Sequence, residues 1–230
     1  MTSNQHGPYV RGLFDHYHIP VGQFLSIMLL PFALSTGLIL LCCLLIPRQV
    51  LAVPQRELTL DKPRAIAYGL LFCLAVGMVL RAVPYPVGLA VIAAALAVMD
   101  PRALKSVDWG LLVTFAAFFV FSGNMARIQP VRELFGRLLA HGVLPVSALT
   151  CQVISNVPAA ILLSQFTDRF RELLIGVNIG GAGTLIASLA SLITFREYTR
   201  RCPEQTGRFL GLFTLVSFGF LAILLAALSL

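Results

Sequence analysis

Two short polar stretches interrupt apolar parts of the chain and hold the residues best suited to chemistry. They are "SNVP" at 155–158 and "GGAGT" at 180–184. Backbone N–H groups at a helix start bind small anions, and carbonyl groups freed at a helix break bind cations. No Asp or Glu lies well inside any apolar segment, so proton relay by carboxylates is not indicated. The two stretches predict ion binding, and a membrane enzyme is the least favoured class.

The first stretch predicts a break between two short helices. Proline disfavours the α conformation at Val157, so a helix should end near Asn156. Pro158 suits the first turn of a new helix, with Ser155 or Asn156 placed to cap it. Arms over 146–155 and 158–166 would each be about 13–15 Å long, half of a bilayer's hydrocarbon core. The segment 143–166 is therefore predicted to be a helical hairpin with its tip at the midplane.

The second stretch predicts another break inside the segment 173–195. Gly180, Gly181 and Gly183 interrupt it at its centre, and Thr184 is a good cap for the second half-helix. Asn178 and Ser188 lie on either side of this break. A simpler alternative is that Pro158 only kinks a spanning helix and that the glycines mark a close helix contact. Two interrupted segments next to each other favour a transport site.

Composition identifies the environment of these elements. Hydrophobic residues make up 58% of the 230 residues and charged residues 12%, and the mean hydropathy is +0.87. A soluble domain is nearer a quarter charged, so this is a polytopic membrane protein. Its apolar segments are 22–46, 65–80, 86–99, 109–123, 143–166, 173–195 and 209–229. The 17 Lys and Arg residues are spread over short loops, which excludes nucleic-acid binding, and no cysteine pair has metal-ligand spacing.

Loop charge gives a topology. The loops 47–64 and 196–208 are the most basic, so both should be cytoplasmic. They share a side only if 143–166 enters and returns on one face of the membrane, which favours a re-entrant hairpin. Residues 128–141 follow a helical period and are predicted to form a helix at the interface.

Three stretches carry a resemblance to a known family: "DWGLLVTFAAFFVFSG" (108–123), "SNVPAAILLS" (155–164) and "NIGGAGTLIASLASLI" (178–193). Together they resemble the ion-transporter superfamily of arsenite efflux permeases, citrate permeases and divalent anion–sodium symporters. The similarity covers about residues 3–229 and is greater to the citrate-permease and arsenite-permease branch. It implies a fold of two inverted repeats, each with a re-entrant hairpin followed by a broken helix.

The resemblance also implies roles for individual residues. It places Ser155, Asn156 and Val157 at the tip of the second hairpin, where relatives bind the anion. It places Gly181, Gly183, Thr184 and Ser188 at the second broken helix. The symporters usually have Ser-Asn-Thr at the tip and "TPxGS" at the break, where this chain has Val157 and "GTLIAS". Sodium ligands of the symporters are therefore not all carried over, and the coupling ion, Na+ or H+, stays open.

The chain resembles only the second repeat. Residues 3–31 resemble the end of the first repeat's broken helix and the span after it. We therefore expect a fold that is half of an inverted-repeat transporter, with the first half of the site supplied by a separate chain, a second copy in a homodimer, or a further N-terminal region. The alternative is a truncated, non-transporting remnant or an accessory membrane subunit.

The sequence thus predicts an all-α polytopic membrane protein with about six spanning helices and one re-entrant helical hairpin. Its single membrane domain, 1–230, has scaffold-like spans in 22–99, a transport-like part in 109–195 and a final span in 209–229. We expect an inner-membrane permease, not an enzyme, for a small anion such as citrate, another carboxylate or arsenite, with the lipid bilayer as its surroundings and with no cofactor or bound metal. The predicted substrate-binding residues are Ser155, Asn156, Val157, Asn178, Gly181, Gly183, Thr184 and Ser188.

Overall fold

The computed structural model describes residues 20–45, 61–80 and 82–229, and these form helices and the connections between them. Residues 3–19 of the resemblance, and Arg48 and Arg56 of the basic loop, lie outside the described residues. The α-helices are, in chain order, α1 (Val21–Leu45), α2 (Lys62–Val79), α3 (Tyr85–Met99), α4 (Pro101–Lys105), α5 (Trp109–Met125), α6 (Gln129–Ala140), α7 (Val143–Ile154), α8 (Asn156–Leu163), α9 (Phe170–Ile179), α10 (Leu189–Arg201) and α11 (Thr206–Leu228).

Three helical stretches are long and apolar enough to cross a membrane. Gly22–Leu45, Lys62–Val79 and Pro203–Leu228 have mean hydropathies of 2.4, 1.4 and 2.4, with at most 11% of each buried in the protein. Apolar surface of this extent belongs in lipid. Together, α5 and α6 are also long and apolar enough to cross, but they are bent by 96° at the break between them. The described residues thus hold three or four crossings by length and composition, and the all-α membrane fold is confirmed. Crossings by the shorter segments remain predictions.

The segment 143–166 folds as a helical hairpin. α7 and α8 contact each other, and their far ends, Val143 and Ser164, line one open cavity of about 710 Å³. Phe135 of α6 stacks on Phe166 beside it, with ring centroids 4.8 Å apart. The arms have 12 and 8 residues, or about 18 Å and 12 Å. The helical hairpin is confirmed, and its return to one face of the bilayer remains a prediction.

The segment 173–195 is broken where the glycines predict. α9 ends at Ile179, a single 3₁₀ turn covers Leu185–Ala187, and α10 begins at Leu189. The prediction that Thr184 caps the second half-helix is wrong, because the Ser188 hydroxyl oxygen accepts the Ala190 N–H at 3.3 Å. The Thr184 hydroxyl instead donates to the Gln152 carbonyl at 3.0 Å, so it serves a contact with α7.

Two apolar clusters hold the hairpin and the broken helix. The first joins α6 to α9 through Leu139, Val143, Cys151, Ala159, Leu163, Leu173 and Val177. The second joins α7, α9 and α11 through Leu144, Ala148, Ile175, Ile179, Leu221 and Leu224. Ile27, Leu34 and Leu38 of α1 pack against the second cluster. α7 and α9 contribute to both clusters and form the centre of this unit.

Contacts divide the described residues into two compact units, 20–45 with 112–229, and 61–111 without residue 81. In the smaller unit α2 contacts α3, and α3 contacts α4. The Tyr68 hydroxyl donates to Asp100 Oδ2 at 2.9 Å, and Asp100 Oδ1 caps α4 by accepting the Ala103 N–H at 3.3 Å. The Tyr68 hydrogen bond, followed by that from Ala103, lowers the pKa of the Asp100 carboxyl.

Candidate transport site

α7 and α9 approach each other closely because two glycines face α7. A Cβ at Gly176 would lie 2.5 Å from the Leu144 carbonyl oxygen, and one at Gly180 would lie 2.8 Å from the Ala148 Cα. The two glycines are four residues apart, which is the small-xxx-small pattern of tightly packed membrane helices. For Gly180, the alternative of a close helix contact is therefore correct.

Gln152 joins α7 to the broken segment through its side-chain amide. Its Nε2 donates to the carbonyl oxygens of Gly180 at 2.8 Å and Ala182 at 3.0 Å, and it lies 2.9 Å from that of Ala148. Its Oε1 accepts the Thr184 N–H at 2.8 Å. Carbonyl and N–H groups that the helix break would leave unpaired are thus bonded by one side chain, as buried backbone requires.

Gly183 makes room for this amide. Its φ is +121°, a conformation that glycine adopts at little cost and residues with a Cβ rarely adopt. A Cβ added there would overlap the Gln152 side-chain amide. Glycine is therefore required at 183 both by the backbone angle and by the neighbouring side chain.

The hairpin tip is a single non-helical residue between two helices. Ser155 has φ +71° and is the non-glycine residue with positive φ in the described part of the chain. Its hydroxyl donates to the Ala187 carbonyl at 3.3 Å, while Asn156 Oδ1 accepts the Val157 N–H at 2.9 Å. Pro158 lies in the first turn of α8, as predicted. Ser155 therefore starts α8 with its backbone and binds the broken segment with its side chain.

The Ser155–Ala187 bond brings the starts of α8 and α10 together, because Ala187 directly precedes Ser188, the N-cap of α10. Within the described residues, hydrogen bonds take up the Val157 and Ala190 N–H groups but not those of Asn156 and Leu189. These two N–H groups, the Asn156 side-chain amide and the Ser188 hydroxyl are among the donors near the tip. Half-helix starts carry partial positive charge, and no charged residue occurs in 143–163 or 173–195 to offset it.

The remaining predicted residues occupy different positions. Gly181 lies beside the tip, since a Cβ there would be 3.3 Å from Asn156 Nδ2. The Val157 side chain is 44% exposed. The Asn178 amide donates to the Leu174 carbonyl of its own helix at 2.8 Å, and its side chain is exposed. The structure thus groups Ser155, Asn156, Gly181 and Ser188 around the tip, with Gly183 and Thr184 held on Gln152.

Gln152 was missed from the sequence, although a signal for it exists. It is the one amide side chain in α7, three residues before the tip, in an otherwise apolar arm. An unpaired amide in hydrocarbon is costly, so its presence implies partners in a neighbouring element. Which element supplies them depends on tertiary packing.

Two curated relatives are similar to part of the chain. The inner membrane protein YbiR of Escherichia coli (strain K12) is 38% identical over 113 residues, which are 47% of this chain and 30% of that protein. The uncharacterized transporter MJ0456 of Methanocaldococcus jannaschii is 38% identical over 132 residues, 57% of this chain and 36% of that protein. The match therefore covers about a third of the length of each relative. No family model and no solved structure matches the chain.

These similarities agree with the sequence-based resemblance at a coarse level. Both relatives are named as membrane or transport proteins, and the chain has several helices able to span a membrane. The chain is accordingly a multi-pass inner-membrane protein, and one of the two relatives is named as a transporter.

Proposed function

We propose that this chain holds one half of the substrate site of a secondary transporter for a small anion, such as citrate, another carboxylate or arsenite. The observation that carries the proposal is the pairing of the α8 and α10 starts through the Ser155–Ala187 hydrogen bond. Two half-helix starts side by side form an anion site that needs no basic side chain. Discontinuous helices are where secondary transporters bind their substrates.

In this proposal Asn156 is the principal ligand. Its side-chain amide nitrogen lies beside Gly181, where an added Cβ would be 3.3 Å away, and Gly181 has no side chain to cover it. The Leu189 N–H and the Ser188 hydroxyl contribute from α10. Gln152 and Gly183 are positioning residues, since they hold the broken segment against the hairpin.

A complete site requires a first repeat, supplied by another chain, a second copy or a longer form of this protein. In alternating access, the two repeats would then close on the anion from opposite sides. Apolar segments free of carboxylates fit an anionic substrate, because a nearby Asp or Glu would repel it.

The test is binding and uptake by the purified chain in liposomes. Citrate, succinate and arsenite would be compared in wild type, Asn156→Ala and the control Gln165→Ala, which lies at the far end of the hairpin. A hydrogen bond to a charged group contributes about 1.5–3 kcal/mol, so Asn156→Ala should weaken anion binding by roughly 10–100-fold. An anion that is bound or transported equally well by wild type and Asn156→Ala would disprove the site. Absence of any anion response would show that this chain alone does not form a working site.

A further inference from the structure

Three backbone carbonyl oxygens converge on one point between the hairpin and the broken segment. Those of Ala148, Gly180 and Ala182 lie 2.9, 2.8 and 3.0 Å from Gln152 Nε2. Two of them come from residues where α9 has ended, so the helix itself leaves them without intrahelical partners. Carbonyl groups freed by helix breaks are the ligands with which secondary transporters bind a coupling cation.

The Gln152 amide occupies this point in a fixed orientation. Its Oε1 accepts the Thr184 N–H at 2.8 Å, so reversing the amide would set Nε2 against an N–H and Oε1 against three carbonyl oxygens. An amide nitrogen carries two hydrogens and no acceptor, which makes it a small positive centre that three carbonyl oxygens can surround. Gly183 leaves the space that the amide fills.

No charged side chain in the surrounding segments could take over this role. The segments around the amide, 143–163 and 173–188, contain no Asp, Glu, Lys, Arg or His. Cys151 is the titratable side chain there, and its Sγ lies 3.8 Å from the Val177 carbonyl rather than at the carbonyl cluster. The carbonyl cluster is therefore satisfied by a neutral side chain of the protein itself.

We propose that the Gln152 amide takes the place of a coupling cation in this half of the site, so that the hairpin and the broken segment stay joined without sodium. The consequence of this substitution for ion-coupled transport rests on the proposed transport function. The residues present do not fit a sodium ion at this position, because the Gln152 Nε2 would have to leave before the ion could enter.

Thermal unfolding of the purified chain tests this without requiring transport. Wild type would be melted in NaCl and in choline chloride at equal ionic strength. Its melting temperature should differ by less than about 1 °C between the salts, since a ligand that does not bind the folded state does not stabilise it. Saturable stabilisation of wild type by sodium, beyond that seen with choline, would overturn the proposal.

Gln152→Glu gives the complementary result. A carboxylate facing three carbonyl oxygens repels them, and with a cation it completes an all-oxygen ligand set. We expect this variant to melt roughly 4–8 °C below wild type in choline and to recover at least half of that loss as sodium is added. Gln165→Glu is the matched control, because Gln165 is exposed and donates to the Ser164 hydroxyl at 3.4 Å.

If Gln152→Glu does not fold, Gln152→Ala provides the same comparison. It vacates the point between the carbonyl oxygens, and sodium should then stabilise the variant more than it stabilises wild type. A Gln152 variant that responds to sodium no more than Gln165→Glu does would disprove the proposal. A chain that transports no anion yet gives the expected melting pattern would refute the proposed function alone.

Discussion

Replacing Gly183 by alanine should weaken the junction between the hairpin and the broken helix. The φ of +121° at this position is unfavourable for alanine, and the added Cβ would overlap the Gln152 amide. The Gln152 side chain would therefore have to move, and its bonds to Gly180, Ala182 and Thr184 would be lost or lengthened.

The size of the effect follows from these two contributions. A residue held in a sparsely populated backbone region costs about 1–3 kcal/mol. Three hydrogen bonds at about 1 kcal/mol each add about 3 kcal/mol. For a chain of this length, 1 kcal/mol corresponds to roughly 2–4 °C, so Gly183→Ala should lower the melting temperature by on the order of 10–20 °C.

A thiol-reactive fluorophore can follow this unfolding. Cys151 is buried next to Gln152, and the other four cysteines are exposed. A background with serine at those four, Cys42, Cys43, Cys73 and Cys202, would report only the opening of the α7–α9 contact. Gly219→Ala is the control, because a Cβ there meets nothing within 4 Å and alanine favours the helix by about 0.5–1 kcal/mol. Equal melting temperatures for Gly183→Ala and its parent would refute the role given to Gly183 and Gln152.

Two further changes test the packing and the smaller unit. Gly176→Leu should expose Cys151 to the fluorophore at ambient temperature. The added Cβ would lie 2.5 Å from the Leu144 carbonyl oxygen, and backbone cannot move aside cheaply. Labelling as slow as in the parent would contradict this. Tyr68→Phe should raise the pKa of Asp100, whose lowered value comes chiefly from the Tyr68 hydrogen bond. The stability that ionised Asp100 contributes is present above its unfolded pKa and is lost as pH falls through its folded pKa. The melting temperature of wild type should therefore fall more than that of Tyr68→Phe between pH 7 and about pH 3. Parallel pH curves for the two proteins would count against this role of Tyr68.

The breaks could be predicted from the sequence because proline and glycine act on their own backbone. Pro158 and the run from Gly180 to Gly183 mark the two interruptions to within a few residues of where the helices end. The cap at Thr184 was predicted wrongly because its hydroxyl is used by a residue 32 positions earlier. Local preference could not reveal that competition.

The contacts that assemble the site were beyond sequence reasoning for the same reason. Gln152 forms hydrogen bonds with Gly180, Ala182 and Thr184, and Ser155 forms one with Ala187. Each bond joins residues about 30 positions apart in the chain. Their partners are fixed only when α7 packs on α9. The anion-binding role of the predicted residues remains a prediction.

The close contact between α7 and α9 has a mechanical consequence. At Gly176 and Gly180 the two helix backbones approach with no side chain of α9 between them, and the Gln152 bonds continue this contact, so sliding of one helix along the other is opposed. The hairpin and residues 170–188 should therefore move as one rigid body, and any hinge must lie outside them, for example beyond Ser188.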